Sequence, residues 1–177
     1  MKVVIINGSA QSGKDQFVKY CEKANKGKVL NTSMVEGVKN LAFIAGWDGV
    51  KTPESRKFLS DLKDLLDGYN DFSMQNVIER VNSWKVLLDN PDDLKDYIVF
   101  IMAREPHDIE DLVAYFDAST LLIRRTVAES VKPSNHADAD VFKYKYDYEI
   151  DNNGTLEELE AKAAEFVKEI LKNGTDY

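Results

Sequence analysis

Gly8-Ser9-Ala10-Gln11-Ser12-Gly13-Lys14-Asp15 is the stretch that decides the fold. An apolar, β-branched run over residues 2–7 precedes it, and a helical pattern with its apolar residues on one side follows it. A buried strand, a glycine-spaced loop and a helix, in this order, form the context of a phosphate-binding P-loop. The sequence therefore predicts a P-loop at residues 8–15.

The residue types in this loop have physical reasons. Gly8 and Gly13 permit backbone angles that a Cβ would resist, so the loop can turn its N–H groups around a polyphosphate. The helix that begins near Lys14 adds the positive end of its dipole. Lys14 can reach the β- and γ-phosphates of a nucleotide. The predicted ATP-binding residues are Gly8, Ser9, Ala10, Gln11, Ser12, Gly13, Lys14, Asp15 and Gln16.

Asp15 stands where most P-loops carry a Ser or Thr whose hydroxyl binds Mg²⁺. A carboxylate can hold the metal directly or through water, and without a cation between them it would repel the phosphates. We therefore predict that Asp15 takes part in placing Mg²⁺. The alternative is that Asp15 only stabilises the start of the helix through the helix dipole.

The Ser12-Gly13-Lys14-Asp15 segment resembles the SGKD loop of bacteriophage-type deoxynucleoside monophosphate kinases, and animal phosphomevalonate kinases carry a similar loop. Both belong to the nucleoside-monophosphate-kinase-like group of P-loop proteins. The resemblance implies a three-layer α/β/α fold with a five-stranded parallel sheet in the order 2-3-1-4-5. It also implies ATP and Mg²⁺ as cofactors and phosphoryl transfer to a phosphorylated acceptor.

Composition narrows the class of protein. The 177 residues suffice for one domain with a real core, and 44% of them are apolar. Cys21 is the single cysteine, which excludes an internal disulfide, and we expect it to pack on the apolar face of its helix. No apolar run reaches membrane-spanning length and no signal peptide precedes the first strand, so we expect a cytoplasmic protein.

The net charge of −8 argues against a general nucleic-acid binder. The charge is uneven, because residues 1–60 carry ten basic and five acidic side chains, and residues 61–177 carry thirteen basic and twenty-six acidic ones. A positive P-loop end suits a small anionic ligand, although chance clustering explains the same count. We expect a nucleotide substrate and neither nucleic acid nor a membrane as partner. Whether the chain forms a homodimer stays open.

The interval between the second and third strands, predicted over residues 28–32 and 97–102, is too long for one crossover helix. Three helical patterns fill it, beginning near Ser33, at Thr52-Pro53 and after Asp71. We therefore predict one P-loop domain, residues 1–177, with a helical insertion over residues 33–96.

The helix after Thr52-Pro53 has two distinct faces. Arg56, Ser60 and Lys63 share one side at helical spacing. This side is either a solvated face or a site that binds the phosphate of the acceptor through Arg56 and Lys63, as the resemblance implies for helical insertions here. The predicted apolar stripe of the helix consists of Phe58, Leu59, Leu62, Leu65 and Leu66.

Arg104 lies just beyond the third strand, at the sheet edge that faces the ligand in open parallel sheets. We expect it to contact phosphate. Pro106 then begins a helix that runs to about Phe116. The phage-type kinases resemble this segment, with Asp-x-Arg-Phe-Pro at the strand end. Met102 stands in place of that Asp, so Glu105 or Asp15 would have to supply the carboxylate.

The fourth strand, predicted over residues 119–125, ends in Arg124 and Arg125. The resemblance implies that these arginines begin a lid over residues 126–145 and clamp the transferring phosphoryl group. The lid contains Lys132. It also contains a short run that offers thin evidence for a metal site, namely His136, Asp138 and Asp140.

The fifth strand is predicted over residues 146–150, and a turn then leads to a last helix whose start carries the capping box Thr155/Glu158. The run 146–159 resembles the endings of dephospho-CoA kinases and phage-type monophosphate kinases. The resemblance implies that this turn lies beside the adenine of ATP. The expected inward residues of the last helix are Leu156, Leu159, Ala163, Phe166 and Ile170.

The leading functional prediction is ATP-dependent phosphoryl transfer to a nucleoside monophosphate, foremost a deoxynucleotide, with the base and sugar unspecified. One alternative is a kinase of another small phosphorylated acceptor, such as phosphomevalonate or dephospho-CoA. The other is a nucleotide-binding protein without catalysis, which Met102 favours. The expected catalytic residues are Lys14, Arg104, Arg124 and Arg125, with Asp15 at the metal.

Overall fold

A computed structural model describes residues 1–88, 90, 94–129 and 141–172 of the chain. The chain divides into two compact units: unit 1, Met1–Asn31 with Leu88–Tyr177, and unit 2, Thr32–Leu87. Unit 2 overlaps most of the span 33–96, in which the sequence predicts a helical insertion.

The sheet has five strands in the order β2-β3-β1-β4-β5. The three pairs β1–β3, β1–β4 and β4–β5 are parallel, and β2 forms the edge beside β3. This order leaves β1 in the centre, so the segment that follows β1 lies at the middle of the carboxyl edge. The strands are β1 Lys2–Asn7, β2 Val29–Ser33, β3 Ile98–Met102, β4 Ser119–Arg124 and β5 Tyr148–Asp151.

The described helices connect these strands and fill unit 2. Three of them, α2 to α4, belong to unit 2, and the others belong to unit 1. The helices are α1 Lys14–Ala24, α2 Glu36–Ile44, α3 Pro53–Asn70, α4 Phe72–Leu87, α5 Pro106–Phe116, α6 Thr126–Glu129 and α7 Leu156–Lys172.

The core of unit 1 lies between the sheet and the pair α1 and α7. Alternate residues of the strands face these helices, since side chains of a strand alternate between its two faces. Phe166 of α7 packs edge-on against Phe17 of α1, with ring centroids 5.7 Å apart. Helix α5 packs against β1 and β4 outside this cluster. The three-layer α/β/α class and the order 2-3-1-4-5 of a P-loop kinase-like fold are thus confirmed. The strand residues in the cluster are Val4, Ile6, Val29, Ile98, Phe100, Leu121 and Ile123.

Cys21 lies in this core, fully buried, as its helical position predicts. Burial raises the pKa of the thiol to about 12, because an apolar environment disfavours the thiolate. The residue is therefore an inert packing side chain at neutral pH.

Two element boundaries differ from the sequence prediction. Helix α2 begins at Glu36 and not near Ser33, because Ser33 is still the last residue of β2. Strand β5 begins at Tyr148 and not at Tyr146, because Tyr146 is buried and its hydroxyl is hydrogen-bonded to Asn7 and Val141.

Several termini follow the sequence closely. Thr52 caps α3, its hydroxyl accepting a hydrogen bond from the Ser55 N–H at 3.1 Å, and Pro53 is the first helical residue. The Thr155/Glu158 capping box forms in both directions at 3.3 Å before α7. Of the expected inward residues of α7, Leu156 is exposed and the other four are buried. None of the helices within the described ranges combines the length and apolar character needed to cross a membrane.

Helix α3 in unit 2 packs differently from the prediction. Two residues of the expected apolar stripe are exposed, Leu65 at 71% and Phe58 at 41%. Lys63 is instead the buried residue of this helix, at 9% exposure, and forms an ion pair with Asp67 at 2.9 Å. The predicted apolar stripe is wrong at these two positions only, since Leu59, Leu62 and Leu66 are half-buried. Lys63 is buried beside them because a lysine with an i+4 carboxylate can bury its methylene stem.

Asp67 is held as a carboxylate by its neighbours. Burial opposes its charge, but the Ser73 N–H donates to it at 2.8 Å and Lys63 pairs with it, so its pKa stays below the usual value. A carboxyl group whose pKa is lowered on folding stabilises the fold at neutral pH, and that contribution is lost as pH falls through the folded-state pKa.

Asp67→Asn should therefore lower the free energy of unfolding by about 3 kcal/mol at pH 7, because it removes the carboxylate from an ion pair with the buried Lys63 ammonium. The difference from the parent should shrink below about pH 3.9. Urea unfolding at several pH values measures both. Asp61→Asn is the control, since Asp61 pairs with Lys57 on the exposed side of the same helix and should change stability by less than about 0.5 kcal/mol. Equal losses for the two variants would contradict a buried role for the Lys63–Asp67 pair.

Candidate nucleotide-binding site

The loop between β1 and α1 has the backbone conformation of a phosphate cradle. Gly8, Gln11 and Gly13 have φ values of 149°, 64° and 98°. These positive values reverse the chain direction over a few residues, and glycine adopts them at little cost. Gln11 has a Cβ and adopts the left-handed region nonetheless, a conformation that clusters at ligand-binding sites.

The two glycines also allow close approach of other chain segments. A Cβ on Gly8 would stand closer than 3.0 Å to the backbone oxygen of Ile123 in β4. A Cβ on Gly13 would stand equally close to the side-chain nitrogen of Asn152, in the turn after β5. The loop therefore lies close against β4 and the β5–α7 turn. Gly8 is required by space as well as by conformation, because its obstruction is backbone, whereas at Gly13 the Asn152 side chain could move and the positive φ is the main requirement.

Lys14 folds back over the loop. Its Nζ donates to the backbone oxygen of Ser9 at 2.9 Å and also to that of Gly8. These carbonyls hold the ammonium above the loop, where a triphosphate entering the cradle would meet it. The arrangement brings the charge and the loop amides to one place, as the motif predicts.

The amino end of α1 is open to an anion. The first intrahelical bond runs from the Phe17 N–H to the Gly13 oxygen, and within the described ranges no side chain caps this end. Such helix ends leave their first N–H groups for a ligand. The Ser12 hydroxyl is fully buried and has no hydrogen-bond partner among the described residues. An unsatisfied buried hydroxyl costs about 1–3 kcal/mol. These features fit a bound polyphosphate.

Asn152 is a residue that the motif search missed. Its side-chain N–H donates to the Ser12 backbone oxygen at 2.8 Å, and its backbone N–H donates to the Arg124 oxygen at 2.7 Å. The β5–α7 turn is thereby attached to the P-loop. The sequence showed only a turn here, because an Asn in an Asp-Asn-Asn-Gly run is expected on turn grounds alone.

Arg104 comes two residues after β3, and Arg124 is the last residue of β4; these two strands flank β1. Met102 pairs with Ile6 and Leu122 pairs with Asn7, at the end of β1. Arg104 and Arg124 each come two residues after these paired positions. Arg104 is half-buried, and its backbone oxygen accepts a hydrogen bond from Asn7. The fold thus places both arginines at the carboxyl edge beside the P-loop, as predicted from the strand ends.

Arg124 is already paired within the chain. Its guanidinium donates to both carboxylate oxygens of Glu129, at 3.0 and 2.9 Å, and lies 5.4 Å from the centre of the Phe142 ring. Hydrogen bonding to Glu129 raises the pKa of Arg124, and the same bonds lower the pKa of Glu129. Arg125 is exposed. A clamp made by Arg124 would use the guanidinium N–H groups that Glu129 does not engage, or exchange Glu129 for phosphate.

Two places offer carboxylates for a divalent cation. Asp15 is exposed in the first turn of α1, next to Lys14. Glu105 forms a second place with His107 and Asp108 at the start of α5, where one ligand atom from each lies within 4.8 Å of the others. Met102 is partly buried and packs against the core cluster, which confirms that β3 itself ends without an acidic side chain.

The two predicted acceptor-binding residues, Arg56 and Lys63, belong to α3 in unit 2. Arg56 is exposed, whereas Lys63 is buried with Asp67. The two cations of the expected face therefore differ in environment. Of the predicted lid, only residues 126–129 and 141–145 are described; Lys132 and the His136, Asp138 and Asp140 run lie outside the described residues.

Comparison with known proteins finds similarity among solved structures and none among family models or curated sequences. No family model and no curated protein sequence matches this chain. Among solved structures, the crystal structure of shikimate kinase from Aquifex aeolicus vf5 is similar over 98% of this chain and 98% of its own, with a TM-score of 0.47 and 11% sequence identity.

Proposed function

We propose that this protein transfers the γ-phosphoryl group of ATP to a nucleoside monophosphate, foremost a deoxynucleotide. One observation carries the proposal: the loop with left-handed Gly8, Gln11 and Gly13 opens onto the uncapped end of α1 and holds Lys14 above it. A nucleotide polyphosphate is the ligand whose charge and size suit this cradle.

In the proposed reaction, an oxygen of the acceptor phosphate attacks the γ-phosphorus of ATP. The bond from that phosphorus to the β–γ bridging oxygen breaks, the new P–O bond forms, and ADP leaves with the bond's electron pair. Lys14 and the amides of the α1 end stabilise the charge on the phosphates. Arg104, Arg124 and Arg125 are proposed to neutralise the transferring group and the acceptor.

When bound, Mg²⁺ would supply Lewis-acid neutralisation of the phosphate charge. We propose Asp15 as the residue that helps to hold it, since a carboxylate is a ligand Mg²⁺ prefers and this one follows Lys14 directly. The acceptor is a phosphate monoester that is itself a good nucleophile, so a strong protein base is not required.

An acceptor screen tests the proposal. The purified chain is incubated with ATP, Mg²⁺ and single acceptors, and ADP formation is measured. The acceptors are the deoxynucleoside and ribonucleoside monophosphates, phosphomevalonate and dephospho-CoA. Turnover with a nucleoside monophosphate above the ATP-only rate supports the proposal. Turnover with phosphomevalonate or dephospho-CoA alone would assign the chain to the first alternative.

Met102 favours a second candidate, a nucleotide-binding protein without catalysis. The apolar side chain packs on the core at the strand end where the resembling kinases have a carboxylate. Calorimetric ATP binding without ADP formation for any acceptor would establish this candidate.

Asp15→Asn is expected to make turnover respond less strongly to added Mg²⁺. The amide keeps one carbonyl oxygen but loses the charge that attracts the cation. ATP binding without metal should improve by about threefold, since one charge near the phosphates is removed. A Mg²⁺ titration of activity and calorimetry with ATP measure both effects. Glu22→Gln, an exposed acidic residue of the same helix, is the control. If Asp15→Asn changes thermal stability only, Asp15 acts through the helix dipole and Glu105 becomes the next residue to test.

Arg56→Ala is expected to raise the KM of the acceptor by about tenfold and that of ATP by less than about twofold, because a charge-assisted hydrogen bond to phosphate is worth about 1.5–3 kcal/mol. The control is Lys57→Ala, which removes the neighbouring exposed cation. Steady-state kinetics with both substrates varied gives the two constants. An equal effect on both constants, or none, would show that this side of α3 is a solvated face.

A further inference from the structure

Asn7, the last residue of β1, uses its side-chain amide at a three-way junction in unit 1. The residue is fully buried. Its Oδ1 accepts a hydrogen bond from the Gly8 N–H at 2.8 Å, and its Nδ2 donates to the Arg104 backbone oxygen at 3.1 Å. The same Nδ2 donates to the Tyr146 hydroxyl at 2.7 Å, and that hydroxyl donates to the Val141 oxygen at 2.8 Å.

The chemistry of the partners fixes the orientation of the Asn7 amide. The Gly8 N–H can only donate, so it must face the oxygen of the amide, and the Arg104 carbonyl can only accept, so it must face the nitrogen. Both amide hydrogens and the oxygen are then used. A carboxylate would place an oxygen against the Arg104 carbonyl, and an apolar side chain would leave buried backbone groups unpaired.

This junction connects two elements that the proposed function uses. Gly8 begins the P-loop, and its N–H is engaged by the Asn7 Oδ1 and so is not offered to a ligand. Arg104 follows β3, and its backbone is fixed by the other end of the same amide. The Asn7 side chain therefore fixes the position of Gly8, at the start of the P-loop, relative to the backbone of Arg104, just after β3.

We propose that Asn7 is a positioning residue that holds the first turn of the P-loop and the backbone of Arg104 in one fixed relation, so that the cradle and the arginine meet the same polyphosphate. The inference rests on the proposed function for the identity of that ligand. The inferred relation between Gly8 and Arg104 is a property of the protein without ligand, so it can be tested in the absence of ATP.

The central variant is Asn7→Ala, with two controls. Tyr146→Phe removes the hydroxyl branch of the junction and keeps the bonds to Gly8 and Arg104. Thr120→Val breaks another pair of hydrogen bonds in the sheet, since the Thr120 hydroxyl donates to the Asp147 carboxylate at 2.8 Å and accepts from the Asp147 N–H at 2.9 Å. Thr120 lies in β4, level with Ile5. Its partner Asp147 is next to Tyr146, so this control disturbs the Tyr146 side of the junction and keeps the Asn7 bonds to Gly8 and Arg104.

Two measurements are made at a temperature where circular dichroism shows each variant folded. In amide NMR spectra without ligand, Asn7→Ala should shift the resonances of residues 8–9 and 104–105 together, and Thr120→Val should shift neither pair. By calorimetry, Asn7→Ala should weaken ATP binding about tenfold. The ATP affinity of the two control variants should stay within about threefold of the parent, even if Thr120→Val lowers the melting temperature as much as Asn7→Ala does.

The outcomes separate the inference from the proposed function. If Asn7→Ala and Thr120→Val weaken ATP binding equally, Asn7 acts only through the overall stability of the fold, and the inference is overturned. NMR shifts confined to residues 8–9 would overturn it as well. If the parent chain does not bind ATP, the proposed function fails, and the paired NMR shifts still decide the role of Asn7. If Asn7→Ala does not fold, the parent chain decides: its Gly8 amide should exchange slowly and keep its chemical shift when ATP is added. A large shift of that amide with ATP would overturn the inference.

Discussion

Lys14→Ala should abolish phosphoryl transfer while the protein remains folded. The ammonium is held above the loop by the backbone oxygens of Gly8 and Ser9, in the place where the triphosphate would lie. Removing one donor that stabilises transition-state charge typically lowers kcat about 10²–10³-fold. The ground-state contact with phosphate adds about 1.5–3 kcal/mol of lost ATP binding.

The fold should tolerate this change because Lys14 and Ser9 are half-buried, so water can replace the ammonium at the Ser9 carbonyl, and the buried Gly8 carbonyl is the one group left to find a new partner. The measurement is kcat and KM with the acceptor that the screen identifies, together with a melting curve. Lys19→Ala is the matched control, since Lys19 is an exposed lysine of the same helix. Turnover within threefold of the parent in a folded Lys14→Ala variant would refute the assignment of this loop as the ATP site.

Much of the fold could be predicted from short-range patterns. The β-branched run before Gly8, the Thr52-Pro53 start and the Thr155/Glu158 box each have a local cause, and each forms where the sequence places it. Local capping and strand patterns are decided by neighbours in sequence, so they can be read from it. The strand order required the resemblance, because periodicity does not say which strands are adjacent.

The candidate site was predictable where it coincides with a motif and not where it depends on long-range contacts. Asn7 and Asn152 bond to segments 97 to 140 residues away. In the sequence, each is a single polar residue at a position where polar residues are common, one at a strand end and one in a turn. A lone Asn at the end of an otherwise apolar strand was the available signal for Asn7, since a buried polar group must find partners.

The basic residues show the same limit. The positive excess of residues 1–60 says nothing about which cations have partners. Lys63 and Arg124 each have a carboxylate close in sequence, Asp67 four residues on and Glu129 five residues on. Such pairs form within one element or one turn and reduce the charge that a phosphate would meet. The proposed arginine clamp and the proposed acceptor site therefore depend on how these ion pairs compete with phosphate, which sequence spacing does not decide.

Gly8→Ala should lower the free energy of unfolding by about 3 kcal/mol. Two costs combine. The backbone at Gly8 has a φ of 149°, and a left-handed conformation costs a residue with a Cβ about 1–2 kcal/mol. The new Cβ would also stand closer than 3.0 Å to the Ile123 oxygen, and overpacking of this kind costs about 1–3 kcal/mol.

Two other glycines separate these costs. Gly27 has a φ of 82° and no atom within 4 Å of an added Cβ, so Gly27→Ala should show the conformational cost alone, about 1–2 kcal/mol. Gly68 lies in α3 with open space around it, so Gly68→Ala should raise stability by about 0.5–1 kcal/mol through helix propensity. Urea unfolding of the three variants gives the series.

The obstruction at Gly8 cannot be relieved by a side-chain rotation, because the atom in the way belongs to the backbone of β4 and Ile123 is fully buried in the sheet. Relief would have to come from the P-loop, which would move away from β4 and disturb the cradle. Gly8→Ala should therefore weaken ATP binding by more than tenfold, whereas Gly27→Ala should leave it unchanged. If both variants lose the same stability and bind ATP equally well, the P-loop is not held against β4 and the close approach at Gly8 has no part in forming the cradle.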